Sequence, residues 1–168
     1  MKRQPDKPQF ITAMQKKISD HEQHKHWKLV HQSETKGAKI MAIWSFRRKG
    51  YNIMGKVAKY KARICAHGGM QDTGINYLEE YAPVAQWMSV RITMALAAIE
   101  NLHTISIDFV IAYPQADLDV DIYMELPQGI NVGPESGRYV LRLEKNLYGL
   151  KQAGHNWLEK LSITLGNL

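Results

Sequence analysis

Apolar residues recur every four positions between Pro8 and His26, at Phe10, Met14 and Ile18, in an otherwise mostly polar stretch. That spacing returns side chains to one face of a 3.6-residue helix, so it predicts a short amphipathic helix. Trp27 to Val30 reads as a strand that runs into a turn around Gly37. Two more strand-like runs follow, Ile40 to Phe46 and Val57 to Ala66. The polar stretch between them, Arg47 to Lys56 with Gly50 and Gly55, predicts a hairpin. Gly68 and Gly69 open a loop that continues through Gly74 to Pro83. Ser89 offers a cap for a helix in which Met88, Ile92, Ala95 and Ile99 have the spacing of a buried stripe. From His103 to Phe109 the period falls to two, with Ile105, Ile107 and Phe109 on one side and Ser106 and Asp108 on the other. This predicts a strand with Asp108 on its polar face or at its end. Asp121 to Glu125 and Arg138 to Leu143 alternate in the same way and predict a second hairpin. A last helix from about Leu150 to Leu165 puts Trp157, Leu158 and Leu161 on its apolar side. Helices mixed with short strands predict an α+β fold.

Composition narrows the class. The 168 residues suffice for one domain with a core, or for a sizeable piece of a larger one. Hydrophobic residues make up 45% of the chain, yet no apolar run approaches the roughly 20 residues that span a bilayer. The start, MKRQPDKPQF, is positively charged but leads into no apolar stretch, so a secretory leader is not expected. The expected setting is intracellular, cytoplasm or nucleus, with no membrane partner. Cys65 is the single cysteine, which excludes an internal disulfide and a multi-cysteine zinc site and predicts a reduced thiol in a strand.

The formal charge of +6 and pI near 9.4 favour an anionic partner. Its distribution says more than its sum. Arg47, Arg48, Lys49, Lys56, Lys59, Lys61 and Arg63 fall in one stretch with no acidic residue, on the predicted hairpin. Ile92 to Gly137 holds no lysine or arginine but carries Glu100, Asp108, Asp117, Asp119, Asp121, Glu125 and Glu135. Cations to hold phosphates and carboxylates to hold metal ions are the division a polymerase needs, although other two-sided surfaces share it. Asp117, Asp119 and Asp121 read as a solvated strand edge. His21, His24 and His26 read as an exposed helix end rather than a zinc site, because no cysteine or carboxylate stands at ligand spacing.

Several segments in order resemble a known pattern. Tyr60 to Gly68, YKARICAHG, is similar to the YKARLVA-G segment of copia-type retrotransposon reverse transcriptases. Gln71 to Val84, QDTGINYLEEYAPV, resembles their Q-G-DY-ET-APV segment, and Ser89 and Arg91 occupy the places of an S-R pair. Ile107 to Leu118, IDFVIAYPQADL, resembles the first palm motif. IYMELPQG (Ile122 to Gly129) resembles the family's IYM-QP-G segment, and LEKNLYGLKQAGHNW (Leu143 to Trp157) resembles its L-K-LYGLKQAPR-W segment, which carries the second palm motif. Many matches in one order are specific where each alone is weak. The resemblance implies the fingers and first part of the palm of a right-handed RNA-directed DNA polymerase, truncated, as part of a polyprotein. On that basis 1–36 is a helical and extended lead-in, 37–102 the fingers and 103–168 a partial palm. The implied partners are an RNA or DNA template-primer, a deoxynucleoside triphosphate and the remainder of the polyprotein. The implied cofactor is Mg2+, or Mn2+, in the complete polymerase, where two hard cations take carboxylate oxygens.

Residue roles follow from the matched motifs. Asp108 takes the place of the catalytic first-motif metal ligand, and Phe109 either lends its backbone carbonyl to the metal or simply packs its ring. Tyr113 stands where an aromatic closes against the nucleotide sugar, or else is a turn tyrosine beside Pro114. Lys61 and Arg63 match the segment that holds the triphosphate, which suits the planar fork of arginine. An exposed basic strand face would look the same. Gln152 falls where the family contacts the incoming nucleotide and template, with Lys151 beside it to meet a phosphate. Gly154 and His155 depart from the proline and arginine common there.

The family's third palm motif, a tyrosine followed by two adjacent aspartates, is absent from these 168 residues. A single carboxylate cannot hold two ions about 4 Å apart, so this polypeptide alone is expected to be inactive as a polymerase. The alternative is a non-catalytic nucleic-acid-binding remnant that uses the basic fingers hairpin.

Overall fold

Lys7–Gln23 forms helix α1, as the Phe10, Met14, Ile18 spacing requires, and Ile18 is buried. The computed structural model describes residues 6–167, apart from the side chains of Trp44 and Phe46. The first five residues of the expected 1–36 lead-in therefore lie outside the described residues. Strands β1 (Trp27–His31), β2 (Ile40–Met41), β5 (Tyr123–Met124) and β6 (Tyr139–Leu143) make one mixed sheet in the order β1-β6-β5-β2, antiparallel except where β2 runs parallel to β5. Strands β3 (Ile43–Tyr51) and β4 (Val57–Ala66) make a separate antiparallel hairpin. Helices α2 (Trp87–Ile99) and α3 (Ala153–Gly166) complete the elements of this α+β arrangement.

The core joins both ends of the chain. Ile18 of α1, Trp27 of β1, Met41, Ile64, Met124 and Leu141 pack in one cluster with Leu147 and Leu150 of the loop before α3. Each such fully buried aliphatic side chain stabilises the fold by roughly 1.5–3 kcal/mol. Because β1 pairs with β6 over five residues and Ile18 sits in the same core, the lead-in up to His31 is integrated with the rest of the fold.

Four expectations need correction. The strand expected over Ile40 to Phe46 is two strands in two sheets, and β3 runs on through the basic cluster to Tyr51. Backbone pairing needs no apolar side chains where both faces of a ladder can meet solvent. Helix α2 starts at Trp87 with Gln86 at its cap, so Ser89 lies inside its first turn. Its stripe is not buried: Met88, Ile92 and Ile99 are 62%, 53% and 75% exposed, and only Ala97 is buried. The segment from His103 to Phe109 forms no strand, and no strand pairs with it.

The histidines also differ from expectation. His21 and His26 are buried, and only His24 is exposed. The Nδ1 atoms of His21 and His26 stand 2.8 Å apart, and the His21 ring stacks on Trp27 at 4.8 Å. One neutral imidazole donates to the other, and His21 Nε2 has no hydrogen-bond partner. Burial, with Lys17 and neighbouring histidines adding to it, pushes His21 down to about 3; burial followed by His24 pushes His26 down to about 4. Both folded values lie below the unfolded 6.5, so the unfolded state takes up protons first as pH falls. Stability is therefore untouched above about pH 6.5 and falls between there and about pH 4, by on the order of 3 kcal/mol for the more deeply enclosed His21 and by less for His26. Urea unfolding across that window checks this: the midpoint should drop steadily, and an unchanged midpoint down to about pH 4 would contradict the buried neutral pair.

Candidate functional site

Side chains alternate along β4. Tyr60, Ala62 and Ile64 turn toward α1, where the Tyr60 ring meets Phe10 edge-on at 5.0 Å and its hydroxyl donates to Asp6 Oδ1 at 2.8 Å. Residues directly opposite in a ladder share a face. Lys49 stands opposite Tyr60 and forms an ion pair with Asp6, and Arg47 stands opposite Ala62. The Lys49 ammonium and then the Tyr60 hydroxyl hold the Asp6 carboxyl below its usual range. Arg48 stands opposite Lys61, so Arg48, Lys59, Lys61 and Arg63 share the other, exposed face. Lys56 closes the exposed turn, where its N–H donates to Asn52 Oδ1 at 2.9 Å. The expected basic cluster is thus split across two faces of one hairpin.

The inner end of that exposed face meets the loop before α3. The Arg63 guanidinium carbon lies 5.5 Å from the centroid of the Tyr148 ring, and the Tyr113 ring lies 5.0 Å from the same ring. Burial raises the Tyr148 phenol above its usual range; Arg63 opposes that shift, and Tyr113, Cys65 and Asp108 add to it. Asp108 is therefore near enough to this cluster to act on it electrostatically. The Ala66 N–H donates to Tyr148 O at 2.8 Å, tying the end of β4 to the loop. The two backbones approach so closely that a Cβ on Gly149 would stand 2.1 Å from Ala66 O, and one on Gly68 would stand 2.1 Å from Gly149 O. Cys65, the free thiol, is buried in β4 as expected.

Asp108 itself is exposed on irregular chain, and the Phe109 ring packs on Trp157 at 5.1 Å. Among the described residues no three His, Cys, Asp or Glu side chains are grouped to hold a metal ion. One carboxylate does not fit a two-ion centre. Asp117 and Asp121 are exposed and paired instead with Lys145 and Arg142.

Gln152 and Lys151 are placed differently from the sequence expectation. Gln152 is fully buried; its Oε1 accepts from Gln71 Nε2 at 2.9 Å and its Nε2 donates to Asn76 O at 3.0 Å, so both ends of its amide are occupied. Gln71 Oε1 in turn accepts from the Lys151 N–H at 2.8 Å. Lys151 Nζ donates to the Tyr77 hydroxyl at 2.9 Å and lies 3.7 Å from Glu80. The ammonium lowers the Tyr77 phenol pKa and is itself raised by that bond. Sequence reading missed Gln71, Asn76, Tyr77 and Tyr148 as organising residues. All four lie within the motifs, but nothing in a motif says which members pair across some 80 residues of chain.

Among the described residues no helix is long and apolar enough to cross a membrane. The family model for reverse transcriptase (RNA-dependent DNA polymerase) matches residues 24–168. The retrovirus-related Pol polyprotein from transposon TNT 1-94 of Nicotiana tabacum is 35% identical over 93% of this chain and 12% of its own length. That from transposon RE1 of Arabidopsis thaliana is 35% identical over 80% of this chain and 9% of its own. The Ty1-BL Gag-Pol polyprotein of Saccharomyces cerevisiae is 28% identical over 93% of this chain and 8% of its own. The chain thus spans about a tenth of the length of these relatives. No solved structure matches it. With the family model covering most of the chain and these three relatives each a transposon polyprotein, the chain belongs to the copia-type reverse transcriptases.

Proposed function

We propose that this chain is the nucleotide-side portion of a retrotransposon RNA-directed DNA polymerase, fingers over 37–102 and the first part of the palm over 103–168, as part of a larger polyprotein. It binds a deoxynucleoside triphosphate and does not polymerise by itself. The observation that carries this reading is the meeting of Arg63, Tyr148 and Tyr113 at the inner end of the β3–β4 hairpin, with Asp108 close enough to act on Tyr148 electrostatically. Arg63 and Lys61 present donors to phosphate oxygens, Arg63 through its two-pronged fork. Tyr113 stands beside them to meet the sugar. Asp108 supplies the one carboxylate that a magnesium-bound phosphate group would share, and the further carboxylates of a two-ion centre are not in these residues. Template-primer would follow the remaining cations of the exposed face, Arg48 and Lys59, with Lys56 at the turn; Arg47 lies on the face toward α1. Gln152 and Lys151 hold the loop rather than the nucleotide.

A second reading, nucleic-acid binding without chemistry, draws on the exposed row of Arg48, Lys59, Lys61 and Arg63. Isothermal titration separates the two. The first expects deoxythymidine triphosphate (dTTP) to bind, and Arg63→Ala to weaken it by about 10- to 100-fold, the range of a lost charge-assisted pair. The second expects no triphosphate binding, and RNA affinity that falls with salt at a log–log slope of about −3.

A further inference from the structure

We propose that Tyr148 is a positioning residue of the nucleotide site, its ring fixing both the Arg63 guanidinium and the Tyr113 ring; this rests on the triphosphate reading above. Arg63 sits on a strand and Tyr113 in a short helical turn, 50 residues apart in sequence. Each touches Tyr148: the guanidinium carbon at 5.5 Å from the ring centroid, the Tyr113 ring at 5.0 Å and tilted by 50°. Arg63 is exposed, so without a platform its long side chain would sample many rotamers and would lose that freedom on binding phosphate. A cation held over an aromatic face has already lost much of it.

The Tyr148 ring is well placed to act as that platform because its own backbone is locked. Its carbonyl accepts the Ala66 N–H at 2.8 Å, two residues beyond Ile64 and three beyond Arg63, so ring and guanidinium are referenced to the same stretch of β4. The adjoining Gly149, at φ +95, lets the loop reach this close to Ala66. Half-burial of the ring keeps it from turning away to solvent. The polar end of Tyr148 has no described hydrogen bond to either neighbour, so the ring face, and not the hydroxyl, does the positioning.

The test uses dTTP as probe in magnesium-free buffer, on the full 168-residue chain. Tyr148→Phe should bind as the wild type does, and Tyr148→Leu about tenfold more weakly. In an Arg63→Ala background, Tyr148→Leu should cost clearly less, keeping only the part that acts through Tyr113. Tyr148→Leu binding like the wild type, or costing the same with and without Arg63, would overturn the positioning role. Should Arg63→Ala itself leave dTTP binding unchanged, the triphosphate reading fails instead. A measurement independent of binding and of the Leu variant's folding is the Arg63 Hε resonance, which should be shifted by the ring current of Tyr148 in the wild type and in Tyr148→Phe. An unshifted resonance in the wild type overturns the proposal whatever the binding data say.

Discussion

Gly149→Ala is expected to lower the thermal unfolding midpoint by about 10 °C or more, or to abolish cooperative unfolding altogether. Two effects act at once. At φ +95 a side chain is strained by roughly 1–2 kcal/mol. The new Cβ would also stand 2.1 Å from Ala66 O, a backbone atom that cannot rotate away, so the loop must retreat from β4. That retreat breaks the Ala66 to Tyr148 hydrogen bond and loosens Leu147 and Leu150 in the core. Together these exceed about 4 kcal/mol, a large part of the 5–15 kcal/mol by which a domain is stable. Alanine at Gly137, where a Cβ meets nothing within 4 Å and φ is not positive, is the control and should change little. Calorimetry of the two variants decides it, and equal midpoints would contradict the close approach of loop and strand.

The isolated chain is also expected to self-associate at micromolar concentration through α2. Met88, Ile92 and Ile99 share one side of that helix and are each more than half exposed, and Leu102, Ile105 and Ile107 just after it are exposed as well. A patch of this extent is larger than soluble monomers usually leave in water. Placing charges on it by Ile92→Glu with Ile99→Glu should shift sedimentation from oligomer or aggregate to monomer without lowering the unfolding midpoint, because neither side chain is buried. Monomeric wild type in the same experiment would refute the idea that this face needs cover.

These two regions also show what a sequence can and cannot reveal. The four-residue rhythm of Phe10, Met14 and Ile18 placed α1 because a helix is a local object whose period is written in its own residues. The β3–β4 hairpin was legible in part: β4 lies at Val57–Ala66 as expected, whereas β3 runs on to Tyr51 through residues that read as a connection. Burial was not, since it depends on a partner elsewhere. The apolar stripe of α2 is real but uncovered, and the alternation of Ile105 and Ile107 signals a face without supplying a neighbouring strand. His21 and His26 looked like polar helix-end residues until Trp27 and the core enclosed them. In the candidate site, motif matching brought forward Asp108, Arg63 and Tyr113. It did not foresee Tyr148 joining the last two, nor Gln71 engaging the amide of Gln152, because both are contacts made by folding.

The central claim, that these residues form the triphosphate side of a polymerase with Asp108 facing the phosphates, is tested most directly by the magnesium dependence of dTTP binding. Titrations of the wild type, Asp108→Ala and the exposed control Asp119→Ala, each with and without magnesium, supply it. The account predicts that magnesium strengthens binding to the wild type and to Asp119→Ala by about tenfold, the effect of about 1.4 kcal/mol from one shared carboxylate, and does nothing for Asp108→Ala. Magnesium strengthening binding equally in all three, or dTTP failing to bind any of them, would contradict it.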